Sequence, residues 1–522
     1  MFENDIYRLA KPRKKGLLHL IFSRFFVIVL LLLLQVVLFV GFYRWLYDYF
    51  NWFSVILWLF TLVMVIYLFN TRMDSSAKLT WLFLIAIMPI PGAIMFWFTQ
   101  ANLGNRSLTQ HVSAQIEQTK DALPLDEEAL AELSGDGSGT DDLCRYLCRT
   151  GCFPIYKNTK VTYYPIGEAK FQAMLEELKK AEEYIFMEYF IIEEGYMWGE
   201  ILRILEEKAR AGVDVRVMYD GMCEISTLPT KYWALLAEHG IKSKPFSPIK
   251  PIVSSHYNYR DHRKILVIDG KVAFNGGVNL ADEYINRVER FGHWKDTALK
   301  LEGEAAESFA LLFLQMWNID EKEPVYAPYL DRAVPAPEGA SGYVMPYGDC
   351  PLDDDKVGEA IYMDILNRSN TYVHIMSPYL ILDGELETAL KLAAQRGIDV
   401  KLILPGIPDK KLAYALAKAH FPSLIDAGVK IYLYTPGFVH AKVFVSDDIK
   451  AVTGTINLDY RSLYHHFECA TYLYKTDCIA DMEADFQETL AKCSEVTTET
   501  IRNDTLFYKL AGSLLRFIAP LM

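Results

Sequence analysis

Two short stretches of the 522-residue chain carry the same three side chains at the same spacing. HRKILVID supplies His262, Lys264 and Asp269, and HAKVFVSD supplies His440, Lys442 and Asp447, so both read H-x-K-x4-D. Side chains on a strand alternate between faces, so a His and a Lys two residues apart project to the same side. A titratable imidazole then stands beside a permanent cation, which suits an anionic substrate such as a phosphodiester. The residues just after each motif also repeat: FNGGVNLADEY after the first, VTGTINLDYRS after the second. Gly276, Gly277 and Gly454 permit close backbone approach to a bound group, and Asn279 and Asn457 can donate amide hydrogens to phosphate oxygens. A single His-x-Lys is usually a polar pair at a strand edge. Two copies, each followed by Gly-x-x-Asn, supply several of a site's roles together, which chance seldom does.

The elements that position these motifs are themselves duplicated. YIFMEYFII reads as a strand, EILRILEEKARAG as an amphipathic helix ending at Gly212, and VDVRVMYDG as a second strand. The same order returns as YVHIMSPYLIL, ELETALKLAAQRG ending at Gly397, and IDVKLILPG, displaced by 188 residues at the first strand and 185 at the glycine. This is βαβ logic, and the Pro-rich residues 323–339 form the connector between the copies. Upstream, SGDGSGTDD (134–142) has the composition of a flexible linker. Cys144, Cys148 and Cys152 fall on one face of a helix; with no His alongside, packed thiols are expected rather than a ligand set.

Composition excludes several classes. The chain is 52% hydrophobic and 23% charged, too apolar for disorder and too long for one ordinary domain. Its formal charge of −13 disfavours a nucleic-acid binder. Eight Cys in such a length do not make a disulfide framework, and reduced thiols are expected.

The first hundred residues differ from the rest, carrying a balance of +5 against −18 for residues 101–522. Residues 25–43, FFVIVLLLLLQVVLFVGFY, are long enough to cross a hydrocarbon core of ~30 Å at ~1.5 Å per residue. Apolar runs at 52–69 and 81–98 follow, the latter interrupted by Pro89, Pro91 and Gly92. A retained membrane anchor is expected, without a signal-peptide cleavage site. Arg8, Lys11, Arg13, Lys14, Lys15 and Arg24 favour a cytoplasmic N-terminus. Three full spans then place the acidic remainder outside; two spans with a re-entrant or interfacial third run keep it in the cytoplasm.

The doubled H-x-K-x4-D motif resembles that of the phospholipase D superfamily over residues 155–495. Within it the chain is most similar to the bacterial cardiolipin synthase family, through YNYRDHRKILVIDG, GGVNLADEY and HWKDT in the first half and GFVHAKVFVSDD, GTINLDYRS and HHFE in the second. Ala441 and Thr455 stand where that family often has Ser, and His466 where it usually has Asn. The resemblance implies an α/β fold, a duplicated phospholipase D-like arrangement of two mixed-sheet halves flanked by helices, with an N-terminal α-helical membrane region. The expected divisions are 1–110 membrane region, 111–150 helical segment and linker, 151–335 first half, 336–495 second half, and 496–522 C-terminal amphipathic segment.

By the same resemblance both His–Lys pairs face one pocket, with His262 as nucleophile and His440 as general acid. Lys264, Lys442, Asn279 and Asn457 then hold the phosphate oxygens. Glu468 orients His262 and Asp296 orients His440, while Asp269 and Asp447, counted with the catalytic motif, support its backbone and Lys. The implied reaction joins two phosphatidylglycerol molecules into cardiolipin and glycerol through a phosphohistidine, with phosphodiester hydrolysis as the alternative. No metal or cofactor is implied, and no G-x4-G-K-[ST] loop is present. The implied partners are phospholipids and the membrane, and the implied location is the bacterial inner membrane, crossed more than once.

Overall fold

The computed structural model describes residues 6–10, 37, 50–71, 73–100, 106–151, 153–248, 259–330 and 334–521. Two sheets dominate it. Across the first the strands run Thr159–Tyr164, Ala298–Gly303, Val272–Gly276, Lys264–Ile268, Tyr184–Tyr189, Asp214–Asp220, Lys242–Phe246. Across the second they run Tyr343–Asp349, His466–Tyr474, Lys450–Gly454, Val443–Ser446, Tyr372–Met376, Asp399–Pro405, Lys430–Tyr434, with Cys493–Glu495 added at the far edge. Position by position the order is the same, so the repeat seen in the sequence is a repeat of topology.

In both sheets the strand that opens the βαβ unit lies between a parallel and an antiparallel neighbour: Tyr184–Tyr189 pairs with Asp214–Asp220 and Lys264–Ile268, and Tyr372–Met376 with Asp399–Pro405 and Val443–Ser446. Each crossover helix buries its apolar stripe, including Trp198, Ile201, Leu202 and Leu205 in Tyr196–Arg210 and Leu386, Leu390 and Ala393 in Gly384–Gln395. Gly212 and Gly397, at φ +95° and +93°, turn the chain out of these helices through the left-handed region that glycine enters without strain. The helix Ala306–Trp317 is buried on every side and lies within a core that takes residues from both halves.

The Gly/Ser/Asp stretch 134–142 ends the helix Glu127–Asp136, turns at 137–139 and begins the helix Thr140–Gly151. Its polar side chains find partners: Asp136 accepts from Tyr474 Oη at 2.6 Å, and Ser134 Oγ donates to Asp141. Linker composition here serves capping and docking, because Asp and Ser bond backbone and neighbours as readily as water. Cys144 is packed in the core and Cys148 donates to the Phe153 carbonyl, while Cys152 lies outside the described residues.

Near the N-terminus, the apolar run 25–43 lies outside the described residues except for Val37. The second run forms the helix Phe50–Phe69, whose side chains are described from Val55 onward. The Pro-broken run is two helices, Ser75–Ile87 and Pro89–Gln100, each shorter than the ~20 residues a span needs. They fold back on one another around Trp81, Ile85 and Phe96, and a Cβ at Gly92 would stand 2.9 Å from the Leu84 carbonyl. Among the described residues no helix is long and apolar enough to cross a membrane.

Candidate active site

Each half presents its His at a strand that crosses to the other half. Arg260–Asp261, just before His262, pairs with His466–Phe467, and Gly437–Val439, just before His440, pairs with His293–Lys295. The backbone continues the match: His262 N donates to Phe467 O at 2.9 Å and His440 N to Lys295 O at 2.7 Å. The next residue on each partner strand is a carboxylate. Glu468, from the second half, receives His262 Nδ1 at 2.9 Å, and Asp296, from the first half, receives His440 Nδ1 at 2.6 Å. Both carboxylates are fully buried.

The strand alternation that sends His262 and Lys264 to the pocket sends Arg263 the other way, where its Nε donates to the Glu468 carbonyl at 3.2 Å. Lys264 Nζ donates to the His262 carbonyl at 2.6 Å, and Lys442 Nζ bonds the His440 carbonyl and lies 3.0 Å from its Nδ1. Two lysines are thus buried beside two imidazoles. Burial lowers His262 well below its ordinary range, with Lys264, Lys442 and His440 adding to the effect in turn. Each His thus meets a carboxylate of the opposite half, and both motifs lie at the seam between the halves. Burial, then Lys442, brings His440 down to about 4, with Asp296 opposing. Burial also lowers Lys264 to about 8 and Lys442 to about 7. For Asp296, burial works upward, but His440 and Lys442 hold the carboxyl below its usual range.

Asp269 and Asp447, counted with the catalytic set from the motif, stand apart from this pocket. Asp269 lies five residues past Lys264, roughly 16 Å along a strand. Its carboxylate accepts from the backbone amides of Glu182, Glu183 and Tyr184, and that of Asp447 from Asn370, Thr371 and Tyr372. Each fastens the start of the neighbouring strand, from a left-handed turn at φ +53° or +54° that Asp tolerates. What these carboxylates hold is backbone, at the start of the strand beside each motif.

The asparagines differ. Asn279 Oδ1 accepts from Ile191 N at 3.0 Å, and its Nδ2 donates to Tyr284 Oη at 2.8 Å, so the scaffold holds the amide. Asn457 is buried with an Oδ1 that makes no hydrogen bond. Several contributors had no signal of their own in the sequence. Phe190 packs edge-on to His262 at 4.8 Å, and Tyr284 and Trp294 lie 5.3 and 5.4 Å from His440. Thr455 bonds Glu468 through its hydroxyl, so the residue that departs from the family's Ser keeps the group that matters. The buried Lys170, lowered to about 7 by burial, reaches the Val278 carbonyl beneath the Gly-x-x-Asn loop.

Two predictions arise here. A Cβ at Gly277 would lie 2.1 Å from Asp296 Oδ1, so Gly277→Ala is expected to displace the carboxylate that orients His440. Turnover should fall about tenfold or more, as misplacement of a positioning group does, with a lower unfolding midpoint from overpacking a buried site; equal turnover would contradict the packing. The second concerns acid. His262, His440 and His466 all titrate below the unfolded value of about 6.5. Below that pH the unfolded chain binds protons that the folded chain refuses. The contribution of these imidazoles is therefore complete above pH 6.5 and declines as pH falls, by up to about 1.4 kcal/mol per pH unit for each imidazole. Thermal unfolding at pH 7 and pH 5 reads the slope, which should be shallower in His466→Asn.

Comparison with known proteins places this arrangement. Residues 174–317 and 362–490 match the family described as cardiolipin synthase, PLD-like domain. Cardiolipin synthase 2 of Bacillus anthracis is 35% identical over 88% of the chain and 89% of its own length. An uncharacterized protein of Streptococcus mutans is 57% identical over 88% and 99%. Among solved structures, phosphatidylserine synthase of Haemophilus influenzae shares the fold, with a TM-score of 0.54 at 14% identity, covering 69% of this chain and 93% of that one.

Proposed function

Since the chain belongs to the cardiolipin synthase family of phospholipase D-like fold, we propose that it is a phosphatidyltransferase that condenses two phosphatidylglycerol molecules into cardiolipin and glycerol. The observation that carries this reading is the pair of imidazoles, each fixed by a carboxylate from the opposite half. Glu468 holds the proton of His262 on Nδ1, leaving the Nε2 lone pair for phosphorus. The N–P bond forms as the bond to glycerol breaks, and the glycerol oxygen takes its proton from His440. The hydroxyl of a second phosphatidylglycerol then returns a proton to His440 and displaces His262. Lys264 and Lys442 neutralise the non-bridging oxygens throughout. The anion they await favours protonated His440, opposing the burial that depresses it. Asn457 can bond the same oxygens, and Asn279 acts through Tyr284.

We further propose that the N-terminal region anchors the enzyme in the bacterial inner membrane, with the lipids delivered along its surface. The C-terminal helix Leu506–Ile518 supports this: Leu506, Phe507, Leu510 and Leu514 are exposed on it. Its Phe517 carbonyl accepts from Thr80, and its Phe517 ring meets Phe83 at 4.4 Å, joining this helix to the helical hairpin 75–100. The purified protein in detergent, given phosphatidylglycerol labelled in its free glycerol, should yield cardiolipin and labelled glycerol in equal amounts. Phosphatidic acid as the sole lipid product would make it a hydrolase.

A further inference from the structure

Glu468 faces two imidazoles. His466, two residues before it on the strand His466–Tyr474, projects to the same side. Its ring centroid lies 5.3 Å from that of His262, and its Nδ1 is 3.6 Å from Glu468 Oε1. His466 is 7% exposed, and its Nδ1 makes no hydrogen bond. One donor atom from each of His262, His466 and Glu468 lies within 4.8 Å of the others.

We propose that these three side chains form a binding site for a divalent transition metal of the zinc class, and that its occupancy switches the nucleophile off. Two imidazole nitrogens and one carboxylate oxygen are a sufficient protein ligand set for zinc, with a fourth position left to water. The same set offers too few oxygens for calcium or magnesium. Phe190, against both imidazoles, limits their rotation away from Glu468.

The effect on the reaction comes from the single proton of a neutral imidazole. With that proton on Nδ1, facing Glu468, the lone pair is on Nε2 and can attack phosphorus. A metal on Nδ1 takes the lone pair there, and the proton moves to Nε2. No proton is lost, but the atom that must form the N–P bond has nothing to form it with. A family member with Asn at position 466 lacks one of the three ligands, so the switch belongs to chains that carry His there.

The effect on activity rests on the transferase reading; the metal site does not, and the test separates them. The full-length protein in detergent is dialysed against Zn2+ and the bound metal counted, for wild type and His466→Asn, with thermal unfolding of both metal-free forms as the check on folding. Wild type should hold one ion per chain through this site. His466→Asn should bind it at least about tenfold more weakly, since even the residues behind metal ligands contribute that much. Should His466→Asn not fold, His466→Gln replaces it. Zn2+ should stop covalent labelling of wild type by a phosphatidyl donor, and a chelator should restore it. The variant, whatever its own rate, should label at Zn2+ concentrations that silence wild type. Equal affinity in both proteins, or a Co2+ spectrum with a thiolate charge-transfer band that puts the ion on cysteine, would overturn the site. His466-dependent binding by a protein that makes no cardiolipin would keep the site and remove the transferase.

Discussion

His262→Ala is expected to abolish covalent capture of a phosphatidyl group and to lower turnover on the order of 10⁴-fold or more, because removal of a nucleophile leaves only binding and electrostatics. His440→Ala should behave differently. Its His262 still has Glu468 at 2.9 Å and both buried lysines nearby, so the phosphorus can be attacked, slowly, without an acid for the leaving glycerol. A donor radiolabelled in its phosphate, quenched in denaturant, should mark His440→Ala protein that barely turns over, and leave His262→Ala blank. Equal marking of His262→Ala and wild type would reverse the two roles.

Glu468→Gln carries the second largest expected loss, on the order of 10³–10⁴-fold, as when an orienting carboxylate becomes an amide and the imidazole takes the wrong tautomer. Volume is preserved, but the amide can turn its NH2 toward His262 Nδ1 and push the proton to Nε2. In the other orientation the NH2 faces Thr455, whose hydroxyl can accept from it and donate to the Cys469 carbonyl at 3.0 Å. The signature is slow labelling with little change in apparent affinity for the donor. Asp296→Asn should slow both the first labelling and the release of cardiolipin, since His440 gives its proton in one step and takes it back in the other. Wild-type labelling rates in Glu468→Gln would contradict the pairing.

Those roles were unevenly legible. His262, Lys264, His440 and Lys442 could be read directly, because strand alternation makes a two-residue spacing a statement about a shared face. Their carboxylates could not: Glu468 is 206 residues from His262 and Asp296 144 from His440, and only the family resemblance linked them. The topology was legible as a repeat, since a strand, an amphipathic helix and its closing glycine recur together. Asp269 was grouped with the chemistry by its place in the motif, yet three backbone amides 85 to 87 residues upstream claim its carboxylate. For Asn279, composition allowed a phosphate contact, and tertiary packing gave the amide to Ile191 and Tyr284. The stretch 134–142 misled for a related reason: residues that favour solvent also favour caps, and only the neighbours of Asp136 and Asp141 decide which. Phe190 and Trp294 carry no spacing signal, being two among many aromatics in an aromatic-rich chain.

The crossed pairing of histidine with the other half's carboxylate has a practical corollary. A single unit cut from this repeat would need a twin to supply its carboxylate. The fused copies are hostages to one another: a lesion at Glu468 disarms the N-terminal imidazole, and one at Asp296 the C-terminal. Severing the connector would therefore give two fragments that are each inert, and mixing them would restore a reaction centre only if the strands before His262 and His440 zip back across the divide.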